Sequence, residues 1–140
     1  MIYSTLTCLF TDISWAGIIK QRVYRVRGSN ALWHIDGNEK LRPWGFYIHG
    51  CIDGFSRLII YLVCCSNKCA ATVSCIYMDA VRVYGWPSRA RGDYGTENNN
   101  VERMMKTHWG EAHNAFLRGR YAVYFLIHVF ICIVLMLGHC

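Results

Sequence analysis

The sequence predicts an α/β fold: a sheet of mixed strand direction with flanking helices, followed by an apolar helix at the C-terminal end. Three observations point that way. Short runs of β-favouring residues separated by turn signals occupy residues 31–65. Helical spacing replaces them from Lys68 onward, and a charge-free apolar run fills Tyr121 to Leu137. A change of period from two to three-and-four marks the passage from strand to helix.

Residues 1–20 form an N-terminal segment with little pattern beyond a short helix candidate, Ile13 to Lys20, that puts Trp15, Ile18 and Ile19 on one side. Val23, Tyr24 and Val26 then alternate loosely with Arg22, Arg25 and Arg27 before the turn Gly28-Ser29-Asn30. Ala31 to Asp36 is a short apolar run ending on an acid. Gly45 to Ile52 and Arg57 to Cys65 are the next two strand candidates, rich in Ile, Leu, Val and Tyr, with Asp53-Gly54 as a hairpin signal between them. These three strands are expected to run antiparallel. From Lys68 to Tyr84, Ala71, Cys75, Met78, Val81 and Tyr84 recur at helical spacing, with Ser66 or Asn67 as N-cap and Gly85-Trp86-Pro87 as the stop. Ser88 to Asp93 reads as a short strand, and Thr96 to His108 as a second helix with Val101, Met104 and Met105 on its apolar face. Asp36 and Asp93 thus both fall at the C-terminal ends of predicted strands, where α/β folds tend to keep their chemistry.

Composition narrows the function classes. All the charged residues lie between Asp12 and Arg120, so the net charge of +6 belongs to that stretch and suits a polyanionic partner. Eight cysteines occur, but no C-x-x-C spacing, which argues against a zinc knuckle and for buried free thiols in a reducing compartment. Met1 to Phe10 lacks a basic start and a cleavage site, so no secretory signal is expected.

Four blocks, in order, carry a resemblance: Leu32-Trp33-His34-Ile35-Asp36-Gly37-Asn38, Ile48-His49-Gly50-Cys51-Ile52-Asp53-Gly54-Phe55-Ser56-Arg57, Tyr84-Gly85-Trp86-Pro87-Ser88-Arg89, and Asp93-Tyr94-Gly95-Thr96-Glu97-Asn98. Residues 21–120 resemble the DDE-type integrase core of retroviral integrases and transposon-derived integrase-like proteins. The resemblance implies a ribonuclease-H-like fold and Mg²⁺-dependent (or Mn²⁺-dependent) phosphoryl transfer on DNA. In that chemistry two metal ions between carboxylates serve the attacking and leaving oxygens. It makes Asp36 and Asp93 the first two catalytic, metal-binding carboxylates. Asp53 is expected to be structural, holding Ser56 or Arg57 by hydrogen bonds. Glu97 reads as an acid at a helix start, favoured by the helix dipole. His34 and His49 read as core or site-lining residues.

The sequence also departs from the family pattern. The third carboxylate should be a Glu on a polar helix well beyond Asp93. Here no Asp or Glu follows Glu111, and the chain passes from Leu117-Arg118-Gly119-Arg120 into the apolar run. Position 92 is Gly where the family usually has Ser or Thr. The expectation is therefore a core domain incomplete at its C-terminal end, truncated after residue 120, with residues 121–140 as a non-homologous tail. Seventeen apolar residues are near the lower limit for a bilayer span, so a membrane anchor through residues 121–137 is an alternative. A buried core helix is disfavoured because this one would be apolar all round. Function is expected to be that of an inactive integrase-like domain of mobile-element origin, lacking its third carboxylate. A non-catalytic nucleic-acid-binding remnant is the competing reading. DNA is the expected partner and the nucleus the expected location, or a membrane if the tail spans one.

Overall fold

In the computed structural model, residues 25–119 are described. The helix candidates at residues 13–20 and 121–137, and the first half of the loose alternation at residues 22–27, lie outside them. Five strands form one sheet: β1 (Trp33–Asn38), β2 (Tyr47–Asp53), β3 (Ile59–Cys65), β4 (Ala90–Gly92) and β5 (Phe116–Arg118), in the order β3-β2-β1-β4-β5. The first three are antiparallel neighbours, whereas β4 runs parallel to β1, and β5 parallel to β4. Between β3 and β4 lies helix α1 (Ala70–Tyr84), and between β4 and β5 lies α2 (Asn99–Trp109). A parallel neighbour requires a crossover, and these two helices are the crossovers. Among the described residues, no helix is long and apolar enough to cross a membrane.

Strand alternation decides which side chains face the helices. Trp33 and Ile35 of β1, Cys51 of β2, Tyr61 of β3, Ala90 of β4 and Phe116 of β5 join Val73 and Tyr77 of α1 and Val101 and Met105 of α2 in one core. Trp33 and Tyr77 are completely buried and meet edge to face at 5.6 Å. Such aromatic contact adds to the several kcal/mol gained by burying each ring, roughly 1.5–3 per large side chain. Their polar atoms are satisfied. The Trp33 indole N–H donates to Asn30 Oδ1 at 2.8 Å, and the Tyr77 hydroxyl meets the Met105 sulfur at 3.2 Å. Asn30, held at φ 60°, also donates from Nδ2 to the Tyr84 carbonyl, and so ties the end of α1 to the start of β1.

Two expectations need correction. Helix α1 forms where its spacing predicts, but its buried residues are Val73, Tyr77, Ala80 and Val81, while Ala71, Cys75 and Tyr84 are exposed. Both sets repeat at three and four residues. Val81 belongs to both, and the face that turns inward is the one that sets Tyr77 against Trp33. The N-cap also differs: Cys69 occupies that position. Asn67 works two residues earlier, its Oδ1 accepting from the Cys69 N–H at 3.0 Å and from the Thr72 hydroxyl at 2.7 Å. Strand β5 is an addition that sequence reading did not include.

Candidate functional site

The parallel pairing of β1 with β4 sets the geometry. Trp33 lies opposite Ala90 and His34 opposite Arg91. Two residues further along the same register, Asp36 comes abreast of Asp93, just past the end of β4. By alternation Asp36 stands on the side of β1 away from Ile35, and Asp93 lies in the loop that follows β4. Asp36 is the fourth residue of β1, which continues to Asn38, so it sits slightly inside the strand rather than at its tip.

The two carboxylates have different surroundings. Asp36 is half-buried, and its pKa is pushed up to about 6. Burial is the largest cause; the Gly37 N–H, donating to Oδ1 at 2.9 Å, opposes it, and the charges of Asp93 and then Glu97 add to the rise. Asp93 is held instead by donors: the Gly95 N–H at 2.9 Å and the Asn98 side-chain amide at 2.8 Å, both to Oδ1. Asn98 is itself buried at 4% exposure, so it is a fixed donor. Glu97 belongs to the 3₁₀ turn Thr96–Asn98, and its carboxylate folds back so closely over Gly95 that a Cβ there would meet it at 2.5 Å. That places an acid at the start of the α2 segment, where the helix dipole favours it.

Arg118, at the end of β5, organises the loop after β4. Its Nη1 donates to the carbonyls of Asp93 and Gly95 at 3.2 and 3.3 Å. Its Nε reaches Glu102 at 2.7 Å, and Nη2 pairs with Glu102 and with Asn99 Oδ1. One guanidinium therefore binds β5, α2 and the Asp93 loop together. Sequence reading passed over it, since a single Arg after two apolar residues carries no signal without its partners.

Other residues singled out in the sequence lie along β1 and β2. Asp53 Oδ2 accepts from the N–H and hydroxyl of Ser56 at 2.8 and 2.7 Å, and Oδ1 accepts from the Asn30 N–H at 2.9 Å, a structural role at the opposite end of β2. His34 is buried, with its pKa lowered to about 4 by burial first and then by Arg91 and Arg57, against Asp53. His49 is buried, with Nε2 at 3.1 Å from the Asn67 carbonyl. The hairpin between β1 and β2 leaves the sheet beside Asp36 and displays Trp44 and Phe46 to solvent, 69% and 50% exposed; Tyr94, next to Asp93, is 62% exposed. Lys68 pairs with Glu39 at 2.6 Å and lies in the field of Glu97, which brings a cation to the same rim.

Gly92 explains one departure from the family pattern. A Cβ there would lie 3.1 Å from both Asn98 Nδ2 and the Phe116 ring, so the space a Ser or Thr needs is already taken. Gly92→Ser is expected to cost about 1–3 kcal/mol by overpacking and to loosen the Asn98 grip on Asp93. Thermal denaturation checks this, and a variant as stable as the parent would show that Phe116 yields freely.

As to metal ligation, Asp36 and Asp93 supply the hard oxygen donors that Mg²⁺ requires. Among the described residues, no group of three or more His, Cys, Asp or Glu side chains is gathered closely enough to hold a metal ion. Two carboxylates with water completing the shell are a donor set that one such cation can accept.

Comparison with known proteins agrees with this architecture. Among solved structures, the magnesium complex of the HTLV-2 integrase catalytic core domain in its trimeric form matches with TM-score 0.59 and 17% identity, covering 79% of this chain and 70% of that one. Its dimeric form matches with TM-score 0.60 at the same identity and coverage. The simian T-cell lymphotropic virus intasome in complex with PP2A regulatory subunit B56 gamma matches with TM-score 0.57 and 16% identity, over 77% of this chain and 41% of that one. At such identities the likeness shows the fold. No curated protein matches in sequence. The family model described as integrase core domain matches residues 23–127, well over half of the chain. The chain therefore belongs to the integrase core domain family.

Proposed function

We propose that this chain holds one divalent cation, Mg²⁺ or Mn²⁺, between Asp36 and Asp93, binds DNA at the same end of the sheet, and has lost integrase-type strand transfer. The observation that supports the reading is Asp36 on β1 abreast of Asp93 just past the end of the parallel β4, with Asp36 pushed up to about 6 partly by its acidic neighbours. A cation between them offsets the repulsion that favours the proton. When bound, it supplies charge stabilisation at a phosphoryl oxygen. The chain's own part is positional: β1 and β4 set the carboxylate spacing, Gly95 and Asn98 fix Asp93, and Arg118 holds the loop that carries it. Exposed Tyr94, Trp44 and Phe46 offer faces on which bases can stack, with Arg42 and Lys68 beside them for phosphates. The description of the HTLV-2 core as a magnesium complex supports the choice of metal.

The inferred loss of turnover is supported by the donor count among the described residues. No third acidic or imidazole ligand joins Asp36 and Asp93 among the described residues, and two ligands hold two metal ions less well than three. Glu97, the nearest other acid, is folded back over Gly95. The test is Mn²⁺ titration of the full chain by calorimetry, together with nicking and strand-transfer assays on DNA ends. Saturable metal binding lost in Asp36→Asn, with no turnover above background, is the expected result. Absence of metal binding overturns the site, and Mn²⁺-dependent turnover that disappears in Asp36→Asn overturns the inactivity.

A further inference from the structure

The parallel strands have two ends, and the one opposite the carboxylates holds a different kind of chemistry. Just before β1 and β4 begin, a cleft of about 310 Å³ is lined by Arg25, Arg27, Arg89, Ser88 and His113, with Leu117 among its apolar walls. None of its described lining residues is acidic. Among the described residues, none of the three arginines forms a salt bridge with a carboxylate. Like charges gathered without a counter-charge repel one another, and an anion placed between them turns that repulsion into attraction. A guanidinium also presents a planar fork of donors that matches phosphate oxygens in pairs.

The two neutral polar residues are arranged to help. His113 is fixed by stacking on Trp109 at 5.2 Å, and its Nε2 lies 3.0 Å from the Ser88 carbonyl and 3.3 Å from the Ser88 hydroxyl oxygen. A carbonyl can only accept, so Nε2 carries the proton and donates to it. The Ser88 hydroxyl can accept a share of the same proton, which leaves its own O–H to donate to a ligand. Trp109 is anchored in turn by its indole N–H to the Pro87 carbonyl at 2.9 Å. The cleft thus has two ordered polar groups beside three cations, and a size at the lower end of small-ligand sites.

We infer that this cleft is a phosphate-binding site, separate from the carboxylate pair, that takes a phosphomonoester or a backbone phosphodiester. Arg89 and Asp93 flank β4 at its two ends, four residues apart and roughly 13 Å at the usual rise per residue. A single phosphate cannot touch both places, but one nucleic-acid strand of a few nucleotides can. The site does not depend on metal at Asp36 and Asp93, so either assignment can fail without the other.

Three probes are titrated into the full chain by calorimetry: inorganic phosphate, a nucleoside 5′-monophosphate, and a short single-stranded DNA lacking terminal phosphates. Saturable binding of at least one is expected, weakened tenfold or more in Arg25→Gln/Arg89→Gln, while Mn²⁺ binding to the same variant is unchanged. Preference for the monophosphate over the DNA identifies a nucleotide-type ligand, and the reverse identifies a backbone contact; either result supports the site. In parallel, arginine modification of the unsubstituted protein by phenylglyoxal should be slowed at Arg25, Arg27 and Arg89 by the bound probe, a readout that needs no variant to fold. No binding of any probe, or binding and protection that do not involve these arginines, overturns the inference.

Discussion

Asp36→Asn is expected to raise the stability of the metal-free protein near neutral pH while removing its response to Mn²⁺. Asp36 takes up its proton more readily in the folded chain than in the unfolded one. Its contribution therefore favours the fold in acid and is lost as the pH rises through about 6. At pH 7.5 an ionised, half-buried carboxylate is left facing Asp93 and Glu97. Replacing it with a neutral amide of the same shape, still able to accept from the Gly37 N–H, should return on the order of 2 kcal/mol after allowance for solvent screening. For a domain of this size that is a rise of about 5 °C or more in melting temperature. His34 works in the opposite sense. Its pKa is lowered to about 4, so the stability it contributes is present above its unfolded value of 6.5 and is lost as the pH falls through about 4. In the parent chain the two slopes oppose each other between pH 4 and 6; in Asp36→Asn only the His34 slope remains, and acidification should destabilise the variant more steeply. Melting curves from pH 4 to 8, with and without Mn²⁺, check both parts. A variant less stable than the parent at pH 7.5 would mean that the Asp36 charge is already compensated.

Arg118→Met should be the more damaging substitution. It keeps much of the aliphatic stem but leaves Glu102 with only Lys106, and leaves the carbonyls of Asp93 and Gly95 without their donor. Both Arg118 and Glu102 side chains are about one-fifth exposed, so the pair is largely removed from water. Glu102 keeps Lys106, so the cost lies mainly in the lost charge-assisted bonds to Glu102 and the two carbonyls, about 2–3 kcal/mol. Glu102→Gln should cost less, since the amide can still accept from Arg118. A double-mutant cycle on urea denaturation separates the pair from the rest of the network. The loop carrying Asp93 should also loosen, and Mn²⁺ affinity should fall in Arg118→Met at temperatures where it is fully folded. If affinity is unchanged there, Arg118 supports the fold without positioning the site.

How much of this could be read from the chain depended on whether the signal was local. The antiparallel strands were legible because Asp53-Gly54 and the runs on either side of it are neighbours in sequence, and α2 because Val101, Met104 and Met105 leave no rival face. Helix α1 had two apolar faces at helical spacing, and choosing between them required knowing what lay opposite, namely Trp33 and Ile35. Strand β5 is three residues long, too short for a period, and becomes a strand only by pairing with β4. Asp36 and Asp93 were singled out through four ordered blocks, and the parallel register of β1 with β4 brings the two positions abreast. Arg118 could not be found in that way. Its meaning lies in partners on α2 and in backbone carbonyls, which no residue type announces.

The crossover from β3 through α1 to β4 has a kinetic consequence. Hairpin contacts among β1, β2 and β3 close short loops, whereas the β1–β4 pairing must wait until a long intervening chain has been ordered, and such non-local contacts form slowly. Asp36 is therefore in place on its strand before Asp93 is brought to it. A ligand that needs both carboxylates has nothing to bind until that late step is complete. Its binding energy should then appear almost wholly as slower unfolding, with the folding limb of the chevron left where it was.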